Sequence, residues 1–392
     1  MSSKPWQTPS STATDKADHT EMALLDRTST LGPVREKIEA GERLELEDGL
    51  AILESDELLE IGELADLARR LRGGTDEVSF VQNLYLSQTN VCRVKCKFCA
   101  FAATRRQEHA YSTTTEELVR DAVEQHRLAS FTEIHMVNGE NPHIDLDFYL
   151  DTLRALKAEL PDVHLKCYTA SEVHHMTTLS GLTHEEVLVE LKAAGLGSLP
   201  GGGAEIFADR VRALVAPGKE HADIWFHVHD TAHRMGLRST CTMLYGHVET
   251  YEERVDHLLR LREQQDRTGG FVAFIPLAFH PENTVFERRG FRHTTGSEDL
   301  KMMAVSRLML DNIPNIKAYW IMMGMPLSAV GLHFGANDVQ GTVMRETIFH
   351  AAGARTETEQ KIEQLVRFVR EAGRIPVQRD SLHNPIRVWD AA

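Results

Sequence analysis

From residue 75 onward the sequence alternates strand-like and helix-like segments, and no other feature restricts the possible folds as much. Eight segments have the short, apolar or alternating pattern of β-strands, and helical patterns separate them. These candidate strands are residues 80–87, 132–138, 163–169, 196–200, 237–246, 271–279, 316–323 and 332–335. Repeated strand–helix–strand units build a parallel sheet, and eight of them close economically into a (β/α)8 barrel. The sequence therefore predicts an α/β fold, a TIM-type barrel over residues 75–345.

Segments of a different character flank this predicted barrel. Residues 1–32 are rich in Ser, Thr, Pro and charged residues, which bury too little apolar surface to order a chain, so we expect a disordered tail. Residues 33–74 have helical apolar spacing and end at a Gly-Gly pair, which predicts an N-terminal helical extension. Residues 346–392 contain an amphipathic pattern that stops at Gly373, which predicts a C-terminal helical extension.

Charge and hydropathy exclude several classes of function. The formal net charge is −15 at pH 7, which argues against a nucleic-acid partner bound through a broad basic face. No window approaches the length of an apolar membrane span, since the longest apolar run is FVAFIPLAF at residues 271–279. The N-terminus has no apolar signal-peptide core, and the chain has only five cysteines. We therefore expect a protein of the reducing cytoplasm.

Three of the five cysteines, Cys92, Cys96 and Cys99, are crowded into the stretch VCRVKCKFCAF at residues 91–101. They directly follow the first predicted strand, and the active sites of such barrels lie where strands end and the following loops begin. Three thiolates at this C-x3-C-x2-C spacing can each hold one iron of a 4Fe-4S cluster and leave the fourth iron without a protein ligand. The spacing therefore favours a cluster with one open iron.

A zinc site and a reactive thiol also remain open as roles for these cysteines. A structural zinc site needs four ligands, commonly in paired C-x2-C elements, and no second pair follows, although His109 could complete the set awkwardly. A reactive redox thiol needs one or two cysteines and leaves the third without a purpose.

The pattern C-x3-C-x-F-C after a first barrel strand resembles the radical S-adenosylmethionine (SAM) superfamily. This resemblance implies a 4Fe-4S cluster whose open iron binds the amino and carboxylate groups of SAM. It also implies reductive cleavage of SAM to methionine and a 5′-deoxyadenosyl radical. A low-potential electron donor such as flavodoxin or ferredoxin is then an expected partner.

Further motifs are similar to one branch of this superfamily, which contains the futalosine-pathway menaquinone enzymes and the deazaflavin (F420) synthases. These motifs are NLYLSQTNVC, EIHMVNGENP, YTASEV, SLPGGGAEIF, IPLAFHPENT and FGANDVQGTV. Within the branch, IFHAAGA at residues 348–354 and AGRIPVQRDSLHN at residues 372–384 most resemble the aminofutalosine synthase family. That family usually has Glu at the position of Gln378 and Tyr at the position of His383.

The resemblance also implies contacts to SAM. Asn138, Gly139 and Glu140 resemble the Gly-Gly-Glu-like loop that holds the SAM amino group, although Asn138 replaces the first Gly and a simple turn is the alternative. Glu172 is implied to contact the SAM ribose or amino group, and the alternative is a solvated loop carboxylate. Phe98 either shields the cluster from water or packs near the adenine.

Four residues are candidate substrate contacts. Gly202 and Gly203, in the run PGGGAE, follow a strand and can present backbone N–H groups to a carboxylate, although glycines more often form ordinary turns. His135 and His280 lie within or just after predicted strands, where histidine can donate or accept near neutral pH. A buried histidine satisfied by a backbone partner is the alternative for both.

The resemblance to the aminofutalosine synthase family implies a specific reaction. The substrate is a dianionic aromatic enol ether, 3-(1-carboxyvinyloxy)benzoate, and SAM is consumed as a co-substrate. The adenosyl radical adds to the vinyl CH2, the aryl group migrates from oxygen to carbon, and loss of a carboxylate gives aminodeoxyfutalosine for menaquinone biosynthesis. No catalytic side chain is assigned, because SAM and the cluster carry the chemistry.

Several functions besides this one remain open on the sequence alone. Within the same branch they are dehypoxanthine futalosine cyclase, which abstracts hydrogen instead of adding the radical, and a deazaflavin synthase subunit. A function of a different class is a cluster-bearing electron carrier or a structural zinc protein with no SAM chemistry. That class leaves the barrel and its loop motifs without a purpose.

Overall fold

A computed structural model describes residues 29–389 of the chain. The expected disordered tail over residues 1–32 lies outside the described residues except for its last four. Within those four, Leu31 is fully buried, and the first helix begins at Gly32.

Ten strands make up two sheets in the described part of the chain. They are β1 (Glu77–Val81), β2 (Asn83–Leu86), β3 (Glu133–Met136), β4 (His164–Cys167), β5 (Ser198–Leu199), β6 (Arg238–Tyr245), β7 (Phe271–Ala278), β8 (Asp338–Gly341), β9 (Ile375–Arg379) and β10 (Pro385–Val388). One sheet has the order β2-β3-β4-β5-β6-β7 and is parallel throughout. The other has the order β10-β9-β1-β8.

The two sheets join into one closed barrel. A single residue, Gln82, separates β1 from β2, so one strand passes through both sheets. On the other side, Ile316 bridges to Phe274 in β7 and Lys317 bridges to Asp338 in β8, both in parallel. Because β8 pairs with β1, the ring is complete, and its seventh strand is reduced to this two-residue bridge. The fold is the TIM-type α/β barrel that the sequence predicted.

Fifteen helices surround the strands within the described residues. They are α1 (Gly32–Ala40), α2 (Leu46–Glu54), α3 (Leu58–Leu71), α4 (Thr115–Leu128), α5 (Leu146–Glu159), α6 (Ala170–Ser180), α7 (His184–Ala194), α8 (Asp209–Val215), α9 (Ala222–Arg234), α10 (Tyr251–Thr268), α11 (Gly296–Met309), α12 (Trp320–Met323), α13 (Met325–Gly331), α14 (Ile348–Ala351) and α15 (Ile362–Glu371). Three of them, α1 to α3, occupy the segment predicted as the N-terminal helical extension, and α2 and α3 pack on α10 and α11.

Two of the eight predicted strands are wrong in position. Only Ile316 and Lys317 of the predicted strand 316–323 pair with neighbours, and its apolar end forms α12, with Trp320 fully buried. The predicted strand 332–335 is a turn, and the eighth strand is β8 instead. Short apolar runs do not distinguish a strand from a buried helical turn. The true eighth strand, DVQG, is polar because it faces a polar barrel interior.

The C-terminal segment is not only helical, as the prediction for residues 346–392 assumed. Besides α14 and α15 it contains β9, which pairs in parallel with β1, and β10, which folds back on β9. Pairing with β1 satisfies backbone groups on the outer edge of that strand. It also carries Arg379 into the barrel, where its Nε lies 2.5 Å from Asp338 Oδ2.

The contact between β1 and β8 predicts an effect of Gly341→Ala. A Cβ at this position would overlap the carbonyl oxygen of Val81, so one strand must move at the point where the barrel closes. We expect the substitution to lower the free energy of unfolding by about 2 kcal/mol, the usual cost of such crowding. Urea titration followed by circular dichroism measures it.

Gly32→Ala is the matched control, because no atom lies within 4 Å of the added Cβ. We expect its unfolding midpoint to stay at the wild-type value. Equal midpoints for both variants would contradict the role of Gly341 in barrel closure.

Candidate active site

A cavity of about 270 Å³ opens at the carboxyl ends of the barrel strands. All twelve residues that the sequence singled out line it: Cys92, Cys96, Phe98, Cys99, His135, Asn138, Gly139, Glu140, Glu172, Gly202, Gly203 and His280. They come from the loops after β2, β3, β5 and β7, from β3 itself and from the first turn of α6. The barrel therefore brings distant parts of the sequence to one site.

The cysteine loop lies between β2 and α4, and all three of its thiols are free. The amide of Cys92 donates to the Ala103 carbonyl at 2.9 Å, and the amide of Cys99 donates to the Cys96 carbonyl at 3.1 Å. Lys95 has a left-handed backbone, with φ of 55°, which turns the loop between the first two cysteines. The loop thus has a defined shape around its three sulfur atoms.

Burial favours the neutral form of two of these thiols. Burial raises the pKa of the Cys96 thiol well above its usual value, and burial also raises the pKa of the Cys99 thiol. Ligation requires thiolates, so a metal centre must supply the favourable charge. Within residues 29–389 no group of three His, Cys, Asp or Glu side chains, the three cysteines included, is placed to hold one metal ion. The donor set fits a three-cysteine cluster better than a mononuclear zinc site with four ligands.

Gly139 packs directly against the backbone that leads into the cysteine loop. Its amide donates to the Thr89 carbonyl at 2.8 Å, and an added Cβ would lie 2.5 Å from the Val91 carbonyl oxygen. Only glycine permits this approach. The side chain of the neighbouring Asn138 accepts a hydrogen bond at Oδ1 from the Gln88 amide, 2.6 Å away. A glycine at position 138 could not form this bond.

Glu140 is buried at the cavity wall. One oxygen lies 3.0 Å from the guanidinium of Arg93, a residue of the cysteine loop. Burial raises the pKa of Glu140 to about 7, although Lys219 and Arg93 favour its charged form. The carboxyl group is therefore poised to change its charge near neutral pH when a cationic group is placed beside it.

Glu172 is fully engaged by the protein itself. Its Oε2 accepts from the Thr169 amide at 2.8 Å and the Thr169 hydroxyl at 2.9 Å, and its Oε1 accepts from the backbone and side-chain amides of Asn138. Burial raises the pKa of Glu172 to about 7, against the four hydrogen bonds that favour the carboxylate. This geometry gives Glu172 a positioning role within the protein, and the contact to the SAM ribose or amino group that the resemblance implied stays a prediction.

The glycine-rich loop after β5 presents free donors to the cavity. Gly203 has φ of 89°, and an added Cβ would overlap the Ser171 hydroxyl. The carbonyl oxygens of Gly202 and Gly203 accept from Trp225 and Arg212. Neither glycine's amide N–H donates to another group in the described part of the chain. These two donors are available to an anionic ligand.

The two histidines differ in their surroundings. His280 Nε2 lies 3.2 Å from the Met322 carbonyl oxygen, as in the alternative of a satisfied buried histidine. His135 stacks on Tyr85 with ring centroids 4.4 Å apart, and burial lowers its pKa to about 3, so it is neutral. Each keeps a buried Nδ1 for which the described residues offer no partner.

Sequence reasoning missed two lysines of the cavity. Lys219 Nζ lies 2.6 Å from Glu205 Oε1; although burial opposes its charge, Glu205 and Cys96 raise the pKa of Lys219 well above its usual value. Lys166 lines the cavity from β4. The sequence feature that could have identified Lys166 is a single cation inside an apolar, strand-like segment, VHLKCYT.

Comparison with known proteins places this site in context. The family model described as the radical SAM superfamily matches residues 86–261, and the model described as the CofH/MqnC C-terminal region matches residues 268–390. Among solved structures, methylornithine synthase (PylB) is similar with a TM-score of 0.69 and 21% identity, covering 88% of this chain and 97% of its own. HydG, a maturase of the FeFe-hydrogenase, has a TM-score of 0.70 at 16% identity, with coverage of 92% and 79%.

Curated relatives are similar over nearly their whole length. The aminodeoxyfutalosine synthase of Thermus thermophilus is 45% identical over 93% of this chain and 98% of its own. That of Streptomyces coelicolor is 41% identical, with coverage of 91% and 94%. The 5-amino-6-(D-ribitylamino)uracil–L-tyrosine 4-hydroxyphenyl transferase of Methanopyrus kandleri is 41% identical, with coverage of 82% and 87%. Along residues 29–389 no helix has the length and apolar character to cross a bilayer.

Gly139→Ala tests the dependence of the cysteine loop on this close approach. The added methyl group must displace the Asn90–Val91 backbone and with it Cys92. A clash of this kind costs about 1–3 kcal/mol, which predicts a loss of cluster affinity of roughly 10- to 100-fold. Iron content and visible absorbance after anaerobic reconstitution measure it. Gly296→Ala is the control, because its Cβ meets only ordinary contacts with Leu327; equal iron content in the two variants would count against the role of Gly139.

The buried carboxyl of Glu172 predicts a pH dependence of stability. An unfolded glutamate ionises near 4.5, whereas the folded Glu172 holds its proton to about 7. The stabilisation is therefore present below pH 4.5 and is lost as the pH rises through 7. Urea titrations of wild type and Glu172→Gln give the free energy of unfolding of each at every pH. We expect the wild-type value minus the variant value to fall as the pH rises from 4.5 to above 7.

The exposed capping box of α7 provides the matched control. Glu186 accepts the same hydrogen bonds from Thr183 without burial, and those bonds lower its pKa. Glu186→Gln therefore predicts a difference that rises with pH through the ordinary glutamate range. A difference for Glu172→Gln that is flat, or that rises in the same way, would show that burial does not dominate there.

Proposed function

Because the chain belongs to the radical SAM superfamily, we propose that it is an aminodeoxyfutalosine synthase of menaquinone biosynthesis. It is an enzyme that uses a 4Fe-4S cluster and SAM. Cys92, Cys96 and Cys99 are the residues that would hold the cluster. The proposed organic substrate is 3-(1-carboxyvinyloxy)benzoate.

The observation that carries the proposal is the shape and charge of the cavity. Its walls are mostly apolar, with the cysteine loop and Lys219 at one end and Lys166 among the strand residues of the barrel. An aromatic dianion needs an apolar slot with cationic or N–H donors, and this cavity offers both. Similarity to the aminodeoxyfutalosine synthase of Thermus thermophilus, over 98% of that chain, supports the proposed reaction.

When bound, the cluster and SAM supply a 5′-deoxyadenosyl radical. The proposed reaction joins C5′ of SAM to the vinyl CH2 of the substrate, moves the aryl group from oxygen to carbon and releases the enol-ether carboxyl group as CO2, with methionine as the other product. The electron spent on cleaving SAM is recovered when CO2 leaves and the ketone forms, so the overall reaction needs no further oxidant. No general base is required for the first carbon–carbon bond. The chain's own tasks are to bind, to orient and to keep water away.

Individual residues of the cavity suit these tasks. Phe98 lies between two cysteines and, with Phe101, covers the cluster side of the cavity with apolar surface. Ile275 and Leu277 of β7 and Phe349 of α14 form apolar wall on the other sides. The free amides of Gly202 and Gly203 are placed to donate to a carboxylate. Glu140 is proposed to accept from the SAM amino group, as its loop resembles the amino-binding loop of the family.

A second function in the same branch has support from similarity. The Methanopyrus kandleri transferase, which is named for L-tyrosine and 5-amino-6-(D-ribitylamino)uracil, is 41% identical to the chain. The C-terminal motifs IFHAAGA and AGRIPVQRDSLHN favour the aminofutalosine synthase family over this transferase. Dehypoxanthine futalosine cyclase is the third candidate, and products distinguish all three.

The proposal extends to partner and compartment. A low-potential donor such as flavodoxin or ferredoxin is proposed to reduce the cluster, because dithiol reductants are too weak for a cluster of this class. We place the enzyme in the cytoplasm, where thiols stay reduced and free to ligate metal.

An anaerobic assay tests the function. Reconstituted protein is incubated with dithionite, SAM and 3-(1-carboxyvinyloxy)benzoate, and products are identified by mass spectrometry. We expect aminodeoxyfutalosine from wild type and none from Cys96→Ala. Cys241→Ala is the matched cysteine control, because Cys241 lies between two cavity-lining threonines of β6 and points away from the cavity; it should keep the product.

The remaining outcomes separate the candidate functions. If wild type yields only 5′-deoxyadenosine and methionine, the substrate is wrong, and the assay is repeated with dehypoxanthine futalosine and with L-tyrosine plus 5-amino-6-(D-ribitylamino)uracil. If protein with a verified cluster leaves SAM intact, the proposed reaction is overturned.

A further inference from the structure

Lys166 stands in a layer of inward-facing residues one level below the loops of the site. It is in register with His135 in β3, which is in register with Tyr85 in β2. All three side chains line the cavity. The loops that carry Asn138, Thr169 and the cysteines begin beyond this layer. Lys166 therefore approaches the cavity from the side opposite the cysteine loop.

The ammonium group of Lys166 lines the cavity without a partner among the described residues. The residue is 3% exposed, yet within residues 29–389 its Nζ makes neither a hydrogen bond nor an ion pair. The other two buried lysines near the cavity are paired: Lys219 with Glu205 at 2.6 Å, and Lys317 with Gln340 at 2.8 Å. Burial lowers the pKa of Lys166, and an anion placed beside the amine would favour its charged form.

The basic side chains around the cavity floor are close to two carboxylates. Lys166, Lys317 and Arg379 are buried together with Glu133 and Asp338, and burial lowers the pKa of both lysines. Asp338 is occupied by Arg379 at 2.5 Å and by the Ser79 hydroxyl at 2.6 Å.

Glu133 accepts from the Asn83 side chain at 3.0 Å. It influences the charge of Lys166 through space but forms no ion pair with it. Glu133 Oε2 is itself buried without a hydrogen bond, so within residues 29–389 no carboxylate is in contact with the Lys166 ammonium, which fits an incoming anion.

An aromatic surface adjoins this cation. Tyr85 and His135 stack with ring planes 20° apart, and the neutral state of His135 removes a competing charge. The Tyr85 hydroxyl accepts a hydrogen bond from Gln340 Nε2 at 2.9 Å, which holds the ring in place. Tyr319 lies at the same end. A flat ring and a lysine side by side suit an aromatic carboxylate.

We propose that Lys166 binds the ring carboxylate of 3-(1-carboxyvinyloxy)benzoate and so selects a meta-carboxylated ring, an inference that rests on the proposed function. The alkene must face C5′ of SAM at the cysteine end, and the enol-ether carboxylate lies beside the alkene. The ring carboxylate is the charged group farthest from the reacting carbon, so it reaches the deeper layer. The ring carboxylate is also unchanged by the reaction, so its contact with Lys166 can hold both substrate and product at every step.

The test compares two substrates in two lysine variants. The first substrate is 3-(1-carboxyvinyloxy)benzoate, and the second, 2-phenoxyacrylate, lacks only the ring carboxylate. We expect wild type to prefer the first by about 100-fold in kcat/KM, as a buried charged hydrogen bond predicts. In Lys166→Met the preference should fall to a few-fold. The substrate preference is the ratio of the two kcat/KM values, measured only on protein with a full cluster. Because both values come from the same preparation, differences in folding between variants cancel.

Lys317→Met is the matched control. It removes a buried lysine of the same interior that already has partners and does not line the cavity. We expect it to lower stability while keeping the wild-type substrate preference. If Lys166→Met does not fold, Lys166→Gln replaces it.

Each remaining outcome overturns one idea. If wild type converts both compounds with equal kcat/KM, or if Lys166→Met and Lys166→Gln keep the wild-type preference, the role of Lys166 is wrong while the proposed function stands. If wild type with a full cluster cleaves SAM but converts neither compound, the proposed function fails, and the assignment of Lys166 falls with it.

Discussion

The carboxylate of Glu172 ties together the ends of three consecutive barrel strands. It accepts from Thr169 after β4 and from Asn138 after β3, and Asn138 in turn accepts from Gln88 after β2. Cys92 follows Gln88 by four residues, and Gly139 rests on the backbone between them. The position of the cysteine loop, and so of any cluster on it, therefore depends on one buried carboxyl group. Four hydrogen bonds offset only part of the cost of burying its charged form, since burial still raises the pKa of Glu172 to about 7.

The sequence predicted the barrel strands correctly where the buried residues of a strand also form an apolar pattern. The first six barrel strands were predicted within a few residues because apolar runs between helical patterns marked them, as in β6 and β7. The last two were misplaced because the barrel interior there is polar. Asp338 and Gln340 of β8 pair with Arg379 and Lys317, so the strand does not have the apolar pattern that identifies strands. The partners that make this strand stable are remote in sequence and invisible to a local pattern.

The same limit applies to the site. Strand-end placement and motif resemblance found all twelve cavity residues that were named, because in a barrel the ends of parallel strands meet. What the sequence did not reveal is how each is used. The hydrogen bonds that occupy Glu172, the pairing of Lys219 with Glu205 and the lack of a partner for Lys166 within residues 29–389 are properties of three-dimensional packing. A lone cation in an apolar strand is the one local signal that pointed to such a group.

The C-terminal strand completes the electrostatics of the substrate cavity from the opposite end of the barrel. Arg379 enters from β9 and binds the Asp338 carboxylate, which also lies 3.6 Å from Lys317 Nζ. Within the described residues neither Asp338 nor Glu133 forms an ion pair with Lys166, and a cation at low dielectric attracts a counterion strongly. A segment that does not line the cavity thus contributes to the charges beneath it. Arg379 acts on the barrel interior through Asp338 and not through the cavity wall.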